Sequence, residues 1–373
     1  MKITIVLLVA DMSGGAKVIG LYADRLRKRG HEVLIVSSGA PPSSLRTRIR
    51  VLFEERRWIP RIRQFTSHID QIDVPHHKLD RYRGVEDRDV PDADVVVATF
   101  WRTAEPVSKL SPSKGAKAYY MQDYGAPGME LEDLIPTWKL PMHIITLAEW
   151  LVDLVGEHGG RTPVSLVRCA VEAEHFHAEP RGKQAIPTVG FNYRETEVKG
   201  FDIVLEAFRR ARLEIPNLRL LAYGPFVPRH TLPEGMDFRL EPATEELRHI
   251  YAGCDAWLFA SRREGFGLPA IESMACRTPV IGTPAGVVPE LIRKFGGGVV
   301  VAPEDPADMA RAILRFARML EGEWKGYSDR AYASVAGYTW EDAVDLFEAA
   351  LYRTIELEGR PRPAPPVAPR RLS

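Results

Sequence analysis

Two carboxylates flank a glycine-rich turn in the second half of the chain. In order, this segment consists of Glu264, Gly265, Phe266, Gly267, Leu268, Pro269 and, three residues further on, Glu272. It follows the apolar run Ala256–Ala260, which is typical of a buried parallel strand. Pro269 suits the first helical position, where a missing N–H group costs nothing. The pattern predicts a strand, a tight turn and a helix whose N-terminal amides point outward.

Such a helix N-terminus favours an anion, typically by about 0.3–1 kcal/mol. The carboxylates of Glu264 and Glu272 would repel a phosphate, so they need another task. An ionised glutamate only accepts hydrogen bonds, and its two oxygens suit the neighbouring hydroxyls of a sugar. A nucleotide sugar satisfies both demands, with phosphates on the amides and hydroxyls on the glutamates. A surface glutamate followed by a helix-start glutamate would show the same spacing, and this alternative stays open.

The segment from Glu264 to Ile281 resembles the signature of glycosyltransferase family 4, and the likeness continues through Ala285–Glu290 and Gly296–Val301. Two positions depart from the usual pattern, because Arg277 stands where glycine is common and Ala285 replaces one glycine of a pair. The resemblance implies an α/β GT-B fold, in which two Rossmann-like doubly wound parallel-sheet domains face each other across a cleft. It also implies transfer of a hexosyl or deoxyhexosyl group from a nucleotide sugar with retention of configuration.

The same resemblance assigns roles to the donor-site residues. Glu272 is expected to hold the ribose hydroxyls, and Glu264 is expected to hold the transferred sugar. The diphosphate is expected to contact the turn formed by Gly265, Phe266, Gly267 and Leu268. No metal or other cofactor is expected, because cations of the protein can stabilise the leaving group and no Asp-x-Asp cluster is placed to bind a metal.

Basic residues are expected after the first strand of the second half. Lys199 matches the Lys-Gly pair of the family and is predicted to act in catalysis together with Glu264. The usual arginine directly after Gly190 is replaced by Phe191, so Arg194 is the nearest substitute. Each charge-assisted hydrogen bond to the diphosphate would contribute about 1.5–3 kcal/mol. Solvated surface positions for Lys199 and Arg194 are the alternative.

A second glycine turn, Gly14-Gly15, precedes a predicted helix in the first half. It lacks the spacing of a dinucleotide site, which disfavours a dehydrogenase, and Lys17 lacks the Ser or Thr that follows in a P-loop. The resemblance places this turn beside the donor phosphates or the acceptor, and a purely structural turn is the alternative. The histidine that many members carry is absent from Thr99-Phe100-Trp101.

Asp123 is a further acceptor-side candidate. It lies in Tyr119–Tyr124, which is similar to the Gln-Asp motif of bacterial members that handle rhamnose and related cell-surface polysaccharides. A capping or turn aspartate is the commoner outcome for such a position.

The 373 residues carry 50 basic and 50 acidic side chains, so no global field attracts nucleic acid. Cys169, Cys254 and Cys276 lie far apart, which fits a reducing cytoplasm. Met1–Ala10 could pass for a short signal peptide, but Asp11 follows without a small-residue cleavage site, which favours a buried strand. No run reaches the roughly 18 apolar residues of a membrane-spanning helix. A cytoplasmic protein is therefore predicted.

Strands alternate with helical segments along the chain, which predicts parallel, doubly wound sheets. Polar sequence around Phe176–Gln184 marks the boundary between an acceptor-side domain at 1–180 and a donor-binding domain at 181–340. A helix at 341–359 is expected to cross back to the first domain, and the Pro- and Arg-rich tail at 360–373 is expected to be disordered. Strands are predicted at Ile3–Val9, His31–Val36, Asp94–Ala98, Ala118–Gln122, His143–Thr146, Val164–Arg168, Thr188–Gly190, Leu218–Ala222, Asp237–Arg239, Ala256–Ala260, Val280–Ile281 and Val299–Val301.

Seven arginines alternate with apolar side chains between Leu45 and Phe65. A basic amphipathic surface of this kind could contact anionic lipid, each cation contributing about 1 kcal/mol near the surface. Such a peripheral contact would place the protein at the inner face of the membrane and would suit a lipid-linked acceptor. A solvated helix face, broken at Pro60, is the alternative.

Together these features predict a glycosyltransferase that acts on a cell-surface polysaccharide, a lipid-linked acceptor or a small molecule. A catalytically inactive nucleotide-sugar sensor or scaffold on the same fold is the alternative, because the histidine is missing and the arginine is shifted. Donor hydrolysis or transfer would distinguish the two hypotheses, whereas binding alone would not.

Overall fold

The computed structural model describes the chain except for residues 41, 43, 44, 46, 47, 50, 51, 54–65, 123–129, 162, 230 and 366–373. Most of the arginine-rich segment, the candidate Asp123 and the end of the predicted tail therefore lie outside the described residues. The chain divides into two compact units. Among the described residues, the first comprises 1–122, 130–168 and 344–365, and the second comprises 169–343.

The described part of the first unit contains a seven-stranded sheet in which neighbouring strands are parallel. Its strands are β1 (Lys2–Leu7), β2 (Glu32–Ser37), β3 (His76–Lys78), β4 (Val95–Ala98), β5 (Ala116–Met121), β6 (His143–Thr146) and β7 (Val164–Leu166). Their order across the sheet is β3-β2-β1-β4-β5-β6-β7. Every residue of β4 and β5 is buried, which explains why these central parallel strands read as nearly continuous apolar runs.

The second unit contains a six-stranded parallel sheet. Its strands are β8 (Thr188–Asn192), β9 (Arg219–Gly224), β10 (Met236–Leu240), β11 (Ala256–Phe259), β12 (Val280–Gly282) and β13 (Gly298–Val300). Their order across the sheet is β10-β9-β8-β11-β12-β13. A core that includes Phe208, Leu220, Leu258, Ile313 and Phe316 lies between this sheet and its helices.

Helices connect the strands in both units. In the described ranges they are α1 (Gly14–Lys28), α2 (Trp101–Ser108), α3 (Leu131–Trp138), α4 (Glu149–Glu157), α5 (Phe201–Glu214), α6 (Thr244–Ala252), α7 (Leu268–Ala275), α8 (Val288–Phe295), α9 (Pro306–Arg318), α10 (Glu321–Ala336) and α11 (Trp340–Leu357). None of these helices is both long enough and apolar enough to cross a membrane.

Most of α11 belongs to the first unit, because that unit resumes at Val344. The ring of Phe347 stacks on Tyr22 with 4.4 Å between their centroids. The hydroxyl oxygen of Thr354, about two helical turns further along α11, lies 2.8 Å from Nδ1 of the buried His143. These contacts join the end of the chain to α1 and β6.

The predicted strands are present, with ends that differ from the structure by at most two residues. Several elements were not predicted, and for four of them the sequence shows the reason. The strand β3 consists of polar residues at the edge of its sheet, so no apolar pattern marks it. The helices α2 and α3 each contain an internal proline, Pro106 or Pro136, which weakens a helical pattern. The helix α10 buries little beyond Trp324, Ser328 and Ala331, so its apolar stripe is sparse.

Candidate active site

The strands β8 and β11 are neighbours in the second sheet although β9 and β10 come between them in the chain. From β8 the chain continues towards one edge of the sheet, and from β11 it continues towards the other. This is a topological switch point, where the loops after the carboxyl ends of the two strands diverge and leave room for a ligand. Lys199 follows β8 and Glu264 follows β11, so the strand order brings the two candidate loops together.

The turn after β11 is tight, as its glycines predict. Gly267 caps α7 with φ +103°, in the region that favours glycine. The adjacent loop supports the turn, since Val287 donates a backbone hydrogen bond to the carbonyl of Phe266 at 2.9 Å. A Cβ atom at Gly286, which has φ +59°, would lie only 2.3 Å from that carbonyl oxygen. Pro269 is the second residue of α7 rather than the first.

The amides of this turn are available for a ligand. Within the described part of the chain, the N–H groups of Gly265, Phe266 and Gly267 donate no hydrogen bond. All three residues are nevertheless buried, and buried amides are nearly always paired in folded proteins. The turn precedes the N-terminus of α7, so an anion bound there would satisfy these donors and interact favourably with the helix dipole.

Lys199 and Glu264 form an ion pair beside the turn. The ammonium nitrogen lies 2.5 Å from Oε2 of the carboxylate. Ser261 donates a second hydrogen bond to the same oxygen at 3.2 Å. Neither charged side chain is fully enclosed, because 35% of Lys199 and 18% of Glu264 are exposed. The structure thus places a cation and a hydroxyl-binding carboxylate together where a ligand could reach both.

Two features hold Lys199 in this position. Gly200, with φ +62°, caps α5. It lies close to the residue that follows β11, because a Cβ atom at this position would be 2.1 Å from the carbonyl oxygen of Ala260. Arg262 then connects the two loops, because its backbone N–H donates to the carbonyl of Val198 at 2.8 Å. The guanidinium of Arg262 also makes paired bonds to the carboxylate of Asp202 at 3.0 and 2.9 Å.

The second predicted carboxylate lies deeper in the unit. Glu272, on α7, is only 9% exposed. Its Oε2 accepts a hydrogen bond from the hydroxyl of Tyr251 at 2.7 Å. The hydroxyl of Tyr223 lies 2.7 Å from that of Tyr251. Burial raises the pKa of Tyr251 well above its ordinary value, and nearby Glu272 raises it further, so this phenol is a neutral donor.

Arg194, the proposed substitute for the missing arginine, follows β8 and is exposed. It forms no ion pair or hydrogen bond in the described residues. Its charge is close enough to the interior to lower the pKa of Tyr223, although burial is the larger influence and raises that pKa overall. Arg194 therefore lies near the network around Glu272, and in the described part of the chain no hydrogen bond or ion pair joins it to the Lys199–Glu264 pair.

Sequence reasoning missed Ser261, Arg262, Tyr223 and Tyr251. Ser261 and Arg262 lie within the segment that carries the turn, so their proximity to Glu264 was a signal in the sequence. No such signal marked the tyrosines, because they belong to β9 and α6 and reach Glu272 only in the folded sheet.

In the first unit, Gly14 and Gly15 open α1 after β1. Ser13 caps this helix by accepting a hydrogen bond from the amide of Ala16 at 3.3 Å. A Cβ atom at Gly15 would lie 3.5 Å from Oε1 of Gln122, so the turn lies beside the end of β5. The carboxyl ends of β1 and β4 meet at the switch point of this sheet, a position where doubly wound sheets bind ligands.

Metal-ligating side chains converge at one place in the described ranges. One oxygen or nitrogen from each of Glu172, Glu174 and His175 lies within 4.8 Å of the others. This group contains none of the residues assigned to the donor, and exposed acidic groups are common without an ion.

Residues 184–319 match the family model described as Glycosyl transferases group 1. The D-inositol 3-phosphate glycosyltransferase of Thermobifida fusca is 37% identical over 117 residues, which is 30% of this chain and 26% of that protein. D-inositol 3-phosphate glycosyltransferase 1 of Catenulispora acidiphila is 30% identical over 245 residues, covering 58% of this chain and 57% of the relative. The chain thus spans about half or less of the length of these curated relatives.

Solved structures resemble the chain over nearly its whole length. Sucrose-phosphate synthase from Thermosynechococcus elongatus has a TM-score of 0.72 and 16% identity, with 96% of this chain and 100% of that chain covered. Anabaena Alr3699/HepE, in complex with UDP and glucose, has a TM-score of 0.69 and 14% identity, with 94% and 99% covered. At these identities the likeness concerns the fold, and it confirms the predicted GT-B fold with two parallel-sheet α/β domains.

Proposed function

We propose that this chain, whose residues 184–319 match the model of glycosyl transferases group 1, transfers a sugar from a nucleotide-sugar donor to a hydroxyl group of an acceptor. The observation that carries this proposal is the ion pair of Lys199 and Glu264 beside the unpaired turn amides. A cation with hydrogen-bond donors suits a diphosphate, and a carboxylate suits the hydroxyls of a sugar. Both parts of the donor therefore find matching groups at one end of one sheet.

In the proposed complex, the ammonium of Lys199 and the amides of residues 265–268 bind the diphosphate. They stabilise the negative charge that develops on it as the leaving group departs. Glu264 accepts a hydrogen bond from the transferred sugar, and Glu272 accepts one from the ribose. Arg194 supplies a second cation at the edge of the site, and neither a metal nor another cofactor is required.

The proposed reaction retains the anomeric configuration of a hexosyl or deoxyhexosyl donor. The bond between the anomeric carbon and the leaving phosphate oxygen breaks, and the acceptor oxygen bonds to the same face of that carbon. The acceptor proton passes to the departing phosphate, so no protein nucleophile is needed. The role of Lys199 is to neutralise the phosphate, and the role of Glu264 is to orient the sugar.

For the acceptor we propose the first unit, with Gly14 and Gly15 as contact residues and Asp123 as a further candidate. The acceptor is a cell-surface polysaccharide, a lipid-linked glycan or a small molecule. The relatives named for D-inositol 3-phosphate make a phosphorylated cyclitol one small molecule to test. Their names give no reason to restrict the search to that compound, because the matched segments cover only part of each relative.

A contact with the inner face of the membrane would suit a lipid-linked acceptor. Four described apolar residues in the arginine-rich segment are exposed: Leu45, Ile49, Leu52 and Phe53. Exposed apolar side chains among arginines favour binding to anionic lipid. Co-sedimentation with vesicles of phosphatidylglycerol and phosphatidylcholine would test this contact, and equal binding to vesicles of phosphatidylcholine alone would contradict its electrostatic part.

A thermal-shift panel of UDP-, GDP-, ADP- and TDP-sugars tests the donor assignment. A ligand at about 100 times its dissociation constant adds about 2.7 kcal/mol of stability, which shifts the melting temperature measurably. Release of nucleoside diphosphate in the presence of candidate acceptors then tests transfer. Glu272→Gln is expected to weaken donor binding and Glu264→Ala to abolish transfer, whereas Glu245→Gln, on the exposed start of α6, is expected to do neither.

Unchanged kinetics in both site variants would overturn the assignment of the carboxylates. Tight donor binding with neither transfer nor hydrolysis would instead favour the inactive sensor or scaffold. Two observations favour this alternative: Phe191 replaces the usual arginine, and Arg194 is exposed.

A further inference from the structure

A chain of hydrogen bonds leads from Glu272 into the interior of the second unit. The hydroxyl of Tyr251 lies 2.7 Å from Oε2 of Glu272. The hydroxyl of Tyr223 lies 2.7 Å from that of Tyr251. Three side chains from β9, α6 and α7 are thus linked in series.

The donors and acceptors in this series have only one consistent arrangement. An ionised carboxylate accepts hydrogen bonds and cannot donate, so the single hydroxyl hydrogen of Tyr251 points to Glu272. The oxygen of Tyr251 must then accept from Tyr223, whose own hydrogen is used in that bond. Every hydrogen therefore points towards the carboxylate.

Close packing fixes the two phenol rings. Tyr251 is fully buried. The centroid of its ring lies 4.5 Å from that of Trp257 and 6.0 Å from that of Phe176. The ring of Tyr223 lies 6.0 Å from that of Trp257. Burial raises the pKa values of both phenols, so they stay protonated at neutral pH. Neither hydroxyl can move without repacking the aromatic cluster, so the bond to Glu272 has a set direction.

We infer that Tyr223 and Tyr251 are positioning residues that orient the carboxylate of Glu272 for the ribose hydroxyls of the donor. The inference rests on the proposed function, because it takes Glu272 to be the ribose-binding group. With Oε2 engaged by Tyr251, the carboxylate is held in one orientation before the donor arrives. A site built to bond a hydroxyl group discriminates against the analogue that lacks it. The series therefore makes the second unit select ribonucleotides over deoxyribonucleotides.

The test compares ribose and deoxyribose forms of the same nucleotide. UDP and GDP are titrated into the full chain by calorimetry, each alongside its 2′-deoxy and 3′-deoxy forms. The wild type is expected to bind the ribonucleotide at least about tenfold more tightly than one of the deoxy forms. Tyr251→Phe is expected to weaken ribonucleotide binding by about tenfold and to leave deoxynucleotide binding within about twofold. Tyr223→Phe is expected to act in the same direction with a smaller effect.

Two further variants separate positioning from a purely structural role. Tyr327→Phe is the matched control, because Tyr327 bonds to Arg315 and takes no part in the series. It is expected to change neither affinity. In Glu272→Gln, the added Tyr251→Phe change is expected to have little further effect, because the carboxylate it orients is gone. In transfer assays, Tyr251→Phe should raise KM for the donor and leave kcat within about twofold.

The outcomes distinguish this inference from the proposed function. If the wild type binds neither nucleotide and no UDP-, GDP-, ADP- or TDP-sugar shifts its melting temperature, both fail together. If it binds and selects ribose while Tyr251→Phe and Tyr223→Phe leave that selectivity intact, only the positioning role is overturned. An equal loss for ribose and deoxyribose forms also overturns it, since that pattern indicates a general disturbance of the fold. If Tyr251→Phe does not fold, the ribose selectivity of Tyr223→Phe decides whether the positioning role stands. This variant removes one hydroxyl of the series, and the bond between Tyr251 and Glu272 remains to support the fold.

Discussion

The ammonium of Lys199 lies 2.5 Å from Oε2 of Glu264, although 65 positions separate the two residues in the chain. The bond to Glu264 fixes the direction of the lysine side chain, so a diphosphate at the turn meets an oriented cation. An ammonium group has three donors, which lets Lys199 keep its bond to Glu264 while it binds phosphate. The pair thus couples the group proposed for the diphosphate to the group proposed for the sugar.

Lys199→Ala is expected to reduce kcat/KM for transfer by about 10- to 100-fold, because one charge-assisted hydrogen bond to the leaving group is lost. Initial rates of nucleoside diphosphate release measure the effect. Lys325→Ala, on the exposed side of α10, is the control and should retain the wild-type rate. Equal rates for the two variants would remove Lys199 from the proposed mechanism.

Arg262→Lys is expected to raise KM for the donor by about tenfold, because a lysine cannot make the paired bonds that hold the loop of Lys199. The guanidinium of Arg262 bonds to both carboxylate oxygens of Asp202 and to those of Glu304. Steady-state kinetics measure the change. Arg318→Lys alters a single exposed ion pair with Glu214 and should leave KM unchanged. A normal KM in Arg262→Lys would show that the loop holds its position without the paired bonds.

Gly200→Ala is expected to destabilise the protein by more than about 1 kcal/mol, because φ is +62° and the new Cβ atom would meet the carbonyl oxygen of Ala260. Gly322→Ala is the matched control, since nothing lies within 4 Å of its Cβ position in α10. That change should stabilise the helix by about 0.5–1 kcal/mol. Thermal melting of the two variants should therefore shift in opposite directions, and a Gly200→Ala protein as stable as wild type would contradict the close approach.

His143 is expected to make the first unit less stable below neutral pH. Burial lowers its pKa to about 4. Thr354 donates its hydroxyl hydrogen to Ala350, so it accepts from Nδ1–H of a neutral ring. The unfolded chain binds this proton below about pH 6.5 and the folded chain only below about pH 4, so the free energy of unfolding falls as the pH drops between these values.

Between pH 7 and pH 5 this single group accounts for a loss of about 2 kcal/mol. Two other histidines with lowered pKa values, the buried His31 and the half-buried His76, act in the same direction. The measurement is therefore the difference between wild type and His143→Gln in denaturant unfolding at the two pH values. His143→Gln should lose less stability than wild type over this range, whereas His249→Gln, an exposed position, should behave as wild type. An identical pH dependence in all three proteins would contradict the buried neutral ring.

Much of the second unit could be predicted from local sequence. The apolar run before Glu264 forms β11, the glycines form the turn, and α7 begins at Leu268. These features are local because a buried strand, a residue with positive φ and a helix N-terminus each leave a mark within a few positions. The same reasoning could not find β3, whose three polar residues carry no alternating pattern.

The partners of the carboxylates depended on the tertiary structure. Sequence determined that Glu264 and Glu272 flank a glycine turn at the start of a helix. Only the strand order β9-β8-β11, in which neighbours in the sheet are distant in the chain, brought Lys199 to Glu264 and the two tyrosines to Glu272. The physical reason is that parallel strands are joined by long crossovers, so their neighbours are chosen by packing across the whole sheet and not by nearby residues.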